Sequence, residues 1–238
     1  MRNVLAIARK EFRSYFASVI AYLFITLFLG VSSWLFMSGF FITRQATMRS
    51  FFDLMPWYLL FFIPAVTMRL WAEEKKLGTI ELLMTFPLRD SEVVFGKFLA
   101  AFAFVGLTLA LSFPLALTVA YAGDPDWGAI AGGYLGSLLL GASYLAIGLF
   151  ASSLTENQIV AFLLAVVGSF FLYIIGIDMV LYPAPEVLVG FLSYLSLATH
   201  FKSIQRGVID SRDVIYYASL VGFFLFLNVR AVESRKWK

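Results

Sequence analysis

The chain has 238 residues, of which 61% are hydrophobic and 14% charged, with a formal net charge of +3 and a mean hydropathy of +0.87. This composition excludes a soluble globular protein, because most of the surface must face lipid. About 20 apolar residues cross a bilayer core of about 30 Å, so the length allows about six spans in one domain, residues 1–238. The absence of cysteine excludes disulfides and thiolate metal sites.

The first predicted element is a basic amphipathic helix over residues 2–17. Apolar residues recur there at spacings of three and four, and basic residues take the other side, which favours a helix lying at the membrane interface. A solvated cytoplasmic leader is the alternative interpretation. The apolar stripe consists of Leu5, Ala8, Phe12, Tyr15, Phe16 and Val19.

Six transmembrane helices are predicted, so the fold class is an all-α integral membrane protein. We expect Pro64 to kink the second span, and Asp90 or Ser91 to cap the third helix. In the fourth span, Gly132 and Gly136 permit close helix approach, and packing within the chain is favoured over a dimer seam. The spans are predicted over about 19–41, 51–68, 95–121, 128–150, 158–177 and 214–229.

A re-entrant half-helix is predicted between the fifth and sixth spans, over residues 187–198. This apolar run of 12 residues is too short to cross the membrane and too hydrophobic for a free loop. Residues 199–213 are polar and are predicted to form a loop. His200, which lies there, has no companion ligand in the sequence and is interpreted as a loop or interface residue.

The longest charged interruption lies between the second and third spans, over residues 68–99. It holds ten of the chain's 33 charged residues, yet an apolar run crosses its middle. Gly78 and Pro87 bracket this run and Thr79 can cap it, so the pattern predicts a two-turn helix that docks in a groove of another protein. The residues expected at this contact are Glu73, Glu74, Gly78, Thr79, Ile80, Glu81, Leu82, Leu83, Met84, Pro87 and Arg89.

A second, smaller contact on the same side is predicted in the loop after the fourth span. It consists of Thr155, Glu156 and Asn157. A simple helix cap explains these three residues equally well.

The charged segment resembles the "MR…EE…GT.ELL…P…GK" signature of type-2 ABC transporter permeases. Within that family the chain is most similar to the single-domain permease subunits associated with bacterial gliding motility and with copper-enzyme maturation. The resemblance implies that the segment is a cytoplasmic coupling helix that contacts an ATP-binding subunit, which would hold ATP and Mg²⁺. The signature is carried by Met68, Arg69, Glu73, Glu74, Gly78, Thr79, Glu81, Leu82, Leu83, Pro87, Gly96 and Lys97.

The orientation follows from the distribution of basic residues. With six spans, the side that carries both termini and the charged segment has 13 Lys and Arg residues, and the other side has 5. The positive-inside rule therefore predicts cytoplasmic termini in a multi-pass protein of the cytoplasmic (inner) membrane. The net charge of +3 is explained by this orientation, so nucleic acid is not expected as a partner.

The sequence predicts no enzyme activity and no cofactor in this chain. Phe98 follows Gly96 and Lys97 where a nucleotide-binding loop needs Ser or Thr. We expect a permease subunit that moves a lipidic or other amphipathic substrate, or relays ATP-driven motion. A gradient-driven transporter or channel is the alternative, although the predicted spans lack internal charges. The expected partners are two ATP-binding subunits, a second permease copy or paralogue, an extracytoplasmic accessory protein and membrane lipid.

Overall fold

The structure is a computed structural model that describes residues 2–43, 45–79, 88–183 and 185–234. Within these ranges the chain forms helices and no strand. The helices are α1 (Arg2–Phe16), α2 (Val19–Thr43), α3 (Arg49–Thr67), α4 (Arg69–Lys76), α5 (Asp90–Leu111), α6 (Phe113–Ala122), α7 (Trp127–Leu154), α8 (Gln158–Ile174), α9 (Asp178–Leu181), α10 (Glu186–Leu195), α11 (Leu197–Gln205) and α12 (Ser211–Glu233).

Helix α7 is the centre of the bundle. It packs against α3, α4, α5, α8, α11 and α12, and 78% of the residues in its most apolar 18-residue stretch are buried. Helix α2 lies at the edge of the bundle, and only 22% of the residues in its most apolar 18-residue stretch are buried. Its large apolar side chains, such as Trp34 and Phe41, are exposed as lipid-facing side chains must be.

Five helical segments of the described residues are long and apolar enough to cross a membrane. They cover the predicted first, second, third, fourth and sixth spans, with a 33-residue third segment that is interrupted at Ser112. The predicted fifth span is the 17-residue helix α8, which ends at Ile174, before the predicted end at 177. At 1.5 Å per residue it is about 26 Å long, slightly less than a bilayer core.

Helix α1 packs against α5, and one of its two buried side chains belongs to the predicted stripe. Ile7 and Tyr15 are the buried residues, and the ring of Tyr15 stacks on Phe104 with 5.0 Å between centroids. Leu5 and Val19 are 65% and 79% exposed, so they do not pack on the bundle, and their place at the membrane interface stays a prediction. Phe12 and Phe16 are partly buried and also pack against the core, so α1 contacts the bundle over several turns.

The start of α5 also differs from the prediction. The cap position is Arg89, whose backbone N–H donates to the Glu92 carboxylate at 3.1 Å. Asp90 is already the first helical residue. The predicted caps Asp90 and Ser91 are therefore one and two residues too late, because the side chain that receives the free N–H comes from inside the helix.

The apolar run at 187–198 is not a single half-helix. Helix α10 ends at Leu195, the chain turns by 67° at Ser196, and α11 continues to Gln205. Residues 199–205, predicted as loop, are therefore helical. The two ends of α11 contact Tyr173 near the end of α8 and Asp53 near the start of α3, so α11 lies along one end of the bundle.

The Gly132 position explains how α11 is held so close to α7. A Cβ atom at Gly132 would lie 2.4 Å from the backbone oxygen of Ile204 and 2.9 Å from the Cα of Gly207. Only glycine therefore allows these two backbones to meet. The close approach that the Gly132 and Gly136 pattern predicted occurs within the chain.

The connections gather at two opposite ends of the bundle. One end, here the α1 end, holds α1, α4, the start of α5 and the turn at residues 155–157, which are joined by contacts such as Asn3 to Glu92. The other, here the α11 end, holds α11, the start of α3 and the turn before α7, which surround a shared cavity. Of the predicted cytoplasmic parts, α1, α4, the start of α5 and the turn at residues 155–157 thus lie together at the α1 end.

Candidate functional site

The helix is interrupted at Met68, between α3 and α4. Backbone N–H groups in the first turn of α4 form hydrogen bonds with another helix. The hydroxyl oxygen of Ser152, on α7, accepts hydrogen bonds from the N–H groups of Trp71 and Ala72, each at 3.1 Å. The same hydroxyl donates to the Met68 carbonyl at 2.9 Å. Ser152 therefore caps a helix more than 80 residues away in sequence and fixes it to the central helix of the bundle.

The other side chains of α4 divide into a buried and an exposed group. Leu70, Trp71 and Ala72 are buried, and the ammonium of the buried Lys75 donates to the Ser153 carbonyl on α7. Glu73 is 41% exposed and pairs with Arg69 one turn earlier, at 3.4 Å. The buried group thus holds the length of α4 against the end of α7.

Lys97 joins three helices at this end. Its ammonium lies 2.6 Å from Glu74 Oε1 on α4 and 3.6 Å from Glu11 Oε1 on α1, and it donates to the Leu70 carbonyl at 3.0 Å. It also lies 5.0 Å from the centre of the Trp71 ring, within the range of a cation–π contact. We call these five residues, Glu11, Leu70, Trp71, Glu74 and Lys97, the anchoring cluster.

The anchoring cluster is almost closed to water, which makes its charges strongly dependent on one another. The side chain of Lys97 is 1% exposed, and those of Glu11 and Glu74 are 14% and 22% exposed. A buried ammonium is retained only when its donors are paired. Lys97 therefore needs α1 and α4 in place, and α1 and α4 are held together by Lys97.

Gly96, the neighbour of Lys97, lets α1 approach α5. A Cβ atom at this position would lie 2.6 Å from Cγ2 of Ile7, a distance that side chains do not tolerate. The Gly-Lys pair of the sequence signature thus has two structural roles at the α1 end. Gly96 makes room for α1, and Lys97 binds it to α4.

The two ends of the predicted coupling helix are described, but its middle is not. Gly78 has a φ of +69° and ends α4, and the Thr79 hydroxyl donates to the Glu74 carbonyl at 3.3 Å. On the far side, Arg89 precedes α5 with its side chain exposed. The predicted contact residues Ile80, Glu81, Leu82, Leu83, Met84 and Pro87 lie outside the described residues, as do the groups that Thr79 was predicted to cap.

The described residues of the predicted contact point in different directions. The Glu74 carboxylate lies on Lys97 inside the bundle, while Glu73 and Arg89 remain accessible at the surface. A partner could reach Glu73 and Arg89 without disturbing the bundle. Glu74 belongs to the internal support of the segment, and its role in docking stays a prediction.

The predicted second contact, Thr155 to Asn157, is a tight helix start. Asn157 Oδ1 accepts from the N–H of Ile159 at 2.9 Å, and the Thr155 hydroxyl accepts from the N–H of Asn157 at 3.1 Å. These bonds are those of the helix-cap interpretation. They leave the contact with a partner as a prediction.

A small cavity separates α1 from α4 beside the anchoring cluster. It has a volume of about 220 Å³ and is lined by side chains of both signs, among them Lys10, Arg69 and Glu73. Tyr15 lies at its edge, where burial, together with the nearby Glu11 carboxylate, raises the pKa of the phenol. The hydroxyl therefore stays neutral, and the charge at this surface comes from the acidic and basic residues.

Sequence reasoning missed Lys97, Glu11 and Ser152 as parts of this site. The sequence indicates Lys97 only as part of a glycine-lysine pair, and Ser152 lies beyond the predicted end of the fourth span at 150, although Ala151 to Leu154 are helical. The Gly-Lys pair is the sequence feature that could have indicated Lys97 as part of the site. Nothing in the sequence indicates which side chains a buried lysine will pair with.

Comparison with known proteins gives one family. No curated protein matches the chain. The family described as ABC-2 family transporter protein matches residues 5–229, which includes every helix from α1 to most of α12. The chain is thus a multi-pass membrane protein, and it belongs to the ABC-2 transporter family.

Proposed function

We propose that this chain is the membrane-spanning permease subunit that converts ATP hydrolysis in a separate subunit into movement of a lipidic or other amphipathic substrate. The family implies an ATP-binding partner, and its membrane subunits are generally non-catalytic. ATP and Mg²⁺ would be held by that partner. The complex would contain two permease copies, or this chain and a paralogue, and two ATP-binding subunits in the cytoplasmic membrane.

The anchoring of both ends of residues 80–87 is the observation that carries this proposal. On the N-terminal side, α4 is fastened to α7 through Ser152 and to α1 and α5 through Lys97. On the C-terminal side, Arg89 leads directly into α5. A push on residues 80–87 would therefore reach α1, α5 and α7 together, instead of bending a loose loop.

The charge distribution supports cytoplasmic termini. The predicted cytoplasmic segments contain 13 of the 18 Lys and Arg residues, and α1, α4 and the start of α5, which lie at the α1 end, are among these segments. The ATP-binding partner would then meet the protein at the α1 end. The accessible Glu73 and Arg89 would lie at the margin of that contact, and the apolar residues Ile80, Leu82 and Leu83 would fill a groove in the partner.

A permease subunit that relays ATP-driven motion to other machinery would use the same anchored segment. Gliding machinery and copper-enzyme maturation are the settings that the sequence resemblance suggests for it. A gradient-driven transporter or channel remains the alternative from another class. Such a protein would not need an ATP-binding partner, so the isolation of the native complex separates the two classes.

The test uses the variant Leu83→Asp in the full complex. A carboxylate placed in an apolar contact costs several kcal/mol when it is buried without a partner. Such a loss weakens binding by orders of magnitude. We expect the variant to insert and express normally, to lose the ATP-binding subunit during purification in detergent, and to lose ATP-dependent function.

The matched control is Lys76→Ala, which changes an exposed charge of the same segment. An exposed charge contributes little, so partner binding should be unchanged. Retention of the partner and of activity in Leu83→Asp would show that residues 80–87 are not the coupling element.

A further inference from the structure

The α11 end contains a cavity of about 470 Å³ that the coupling mechanism does not use. It lies between the first turn of α3, the turn before α7 and the C-terminal end of α11. Pockets of this size accept small ligands or the head group of a larger molecule.

Three basic side chains from distant parts of the chain line this cavity. Arg49 begins α3, and Lys202 and Arg206 lie at the end of α11, more than 150 residues later. All three are exposed to solvent. Among the described residues Lys202 has an ion pair, at 3.9 Å from the 94% exposed Asp178, and neither arginine has one. An exposed pair at this distance holds Lys202 only weakly.

The two acidic residues of the cavity accept hydrogen bonds from neutral groups of the protein. Asp53 Oδ1 accepts a hydrogen bond from the Gln205 amide at 2.7 Å. Asp126 Oδ1 accepts from the N–H groups of Gly128 and Ala129, at 2.9 and 3.2 Å, and caps α7. Among the described residues, no ion pair within 4.0 Å joins either acid to Arg49, Lys202 or Arg206. With three basic and two acidic side chains, the lining keeps a surplus of one positive charge.

Part of the cavity wall is apolar and buried. Met48 and Phe52 are each 2% exposed, and Ile130 is 4% exposed. Arginine forks suit phosphate and carboxylate groups, and the apolar wall suits an attached hydrocarbon or ring. The combination matches a molecule with an anionic group on a less polar body.

The location of these charges adds a second argument, which rests on the orientation given in the proposed function. Only 5 of the 18 Lys and Arg residues are then extracytoplasmic, and 3 of those 5 line this one cavity. Basic residues are disfavoured on that side, and a uniform solvated face would not collect them in one place.

We propose that the cavity at the α11 end is an extracytoplasmic binding site for the phosphate or carboxylate group of an amphipathic molecule. The molecule is either a lipid whose head group enters the cavity from the outer leaflet or a free phosphorylated compound. Arg49 and Arg206 bind the anion, Lys202 adds charge, and Phe52 packs against the body of the ligand. The site deepens the proposed function by giving the substrate, or a bound regulator, an anionic group.

The binding test uses the full-length chain in a neutral detergent and two probes. One probe is a short-chain phosphatidylglycerol, with phosphatidylcholine of the same chains as the comparison, and the other is glycerol phosphate. We expect the phosphatidylglycerol to bind, and to bind more weakly as the salt concentration rises. Glycerol phosphate that competes at similar concentrations would identify a free phosphorylated compound as the ligand class, and failure to compete would identify a lipid.

Three variants decide whether the cavity is responsible. The triple variant Arg49→Gln, Lys202→Gln, Arg206→Gln should weaken binding at least about tenfold. The variant Asp53→Asn removes a negative charge from the wall and should strengthen binding several-fold. Arg212→Gln, at a basic residue outside the cavity lining, should change nothing. All of these positions are exposed, so the fold should be retained, which thermal unfolding checks.

The proposal is overturned if neither probe binds, if phosphatidylcholine binds as well as phosphatidylglycerol, or if Arg212→Gln weakens binding as much as the triple variant. The measurement needs no nucleotide and no partner subunit. Its failure would leave the coupling proposal standing, and a failure of the Leu83→Asp test would leave this site standing.

Discussion

Two breaks in the helical chain, at Met68 and at Ser196, are stabilised by different chemistry. At Met68 the freed backbone groups bind the Ser152 hydroxyl, and the Lys97 ammonium joins α1, α4 and α5. At Ser196 the carbonyl of Leu195, at the end of α10, accepts from the Tyr216 hydroxyl at 2.5 Å, and the carbonyl of Leu197, in α11, accepts from the Tyr217 hydroxyl at 3.0 Å. In lipid, such groups must find partners inside the protein.

The α11 end uses a histidine where the α1 end uses a lysine. His200 is 6% exposed and stacks on Tyr216 with 3.9 Å between ring centres. Its Nδ1 lies 2.6 Å from Asp213 Oδ1 and its Nε2 lies 2.9 Å from the Tyr194 carbonyl. The prediction that His200 lies in a loop is therefore wrong, because it is a buried connection between α10, α11 and α12.

His200 and Lys97 differ in the number of hydrogen bonds that they can donate. A neutral imidazole donates one hydrogen bond, but a carboxylate and a carbonyl both only accept. Nδ1 and Nε2 of His200 both face acceptors. Both contacts are hydrogen bonds only if the His200–Asp213 pair carries one more proton than a neutral imidazole and a carboxylate have together. A neutral His200 can donate to only one of its two acceptors, whereas Lys97 has three donor hydrogens.

The largest effect is expected from Lys97→Met, which tests whether the α1 end depends on a buried charge. Without the ammonium, Glu11 and Glu74 face each other in a poorly hydrated site, and breaking a buried pair in this way costs about 3–5 kcal/mol. The fraction of monodisperse protein after heating measures the loss. Lys76→Met, at an exposed position of the same segment, is the control, and equal losses in the two variants would contradict the role of the anchoring cluster.

A smaller effect is expected from His200→Phe, which keeps an aromatic ring against Tyr216 but removes both hydrogen bonds. The Asp213 carboxylate loses the partner of its Oδ1 atom, so we expect a loss of about 2–3 kcal/mol in the same heating assay. Asp213→Asn sharpens the comparison, because an amide can donate to a neutral imidazole. Asp213→Asn should lower the stability less than Asp213→Ala does. The opposite order would contradict the extra proton in the His200–Asp213 pair.

The smallest of these effects is expected from Ser152→Ala, which leaves the first N–H groups of α4 without their acceptor. The expected loss is about 1–2 kcal/mol of stability, because a backbone group without a partner keeps its desolvation cost. Faster amide hydrogen exchange at Trp71 and Ala72 is the direct measurement. The neighbour Ser153→Ala is the control, since that hydroxyl donates only to Phe150 within its own helix. Unchanged exchange in Ser152→Ala would mean that α4 is held by its apolar side chains alone.

The starts of several long helices could be predicted, because bilayer thickness requires apolar runs of a length that the sequence displays directly. α2 and α7 begin at or within one residue of their predicted starts, as does α8. Their ends were less predictable. α8 stops at Ile174, where the Gly176 turn brings Ser196 against the end of the helix, and the sequence contains no sign of that contact.

The supporting residues of the candidate site could not be predicted for a different reason. Each of them acts through a partner that is far away in sequence: Ser152 through Met68, and Lys97 through Glu11. Apolar periodicity indicates which face of a helix is buried, but not which polar groups meet when two helices cross. His200 was misread on the same ground, since a histidine in a polar stretch looks solvated until Asp213 packs against it.

Hydrophobicity and charge act locally along the chain, so the amino-acid sequence is enough to predict an all-helical membrane protein with a charged segment between its second and third spans. The contacts of Ser152 and Lys97 that hold α4, the position of α11 at one end of the bundle and the cavity that Arg49 shares with Arg206 become visible only in the folded protein. Those features depend on which helices touch, and that is settled by packing around α7, where glycine admits a neighbouring backbone and larger residues exclude it.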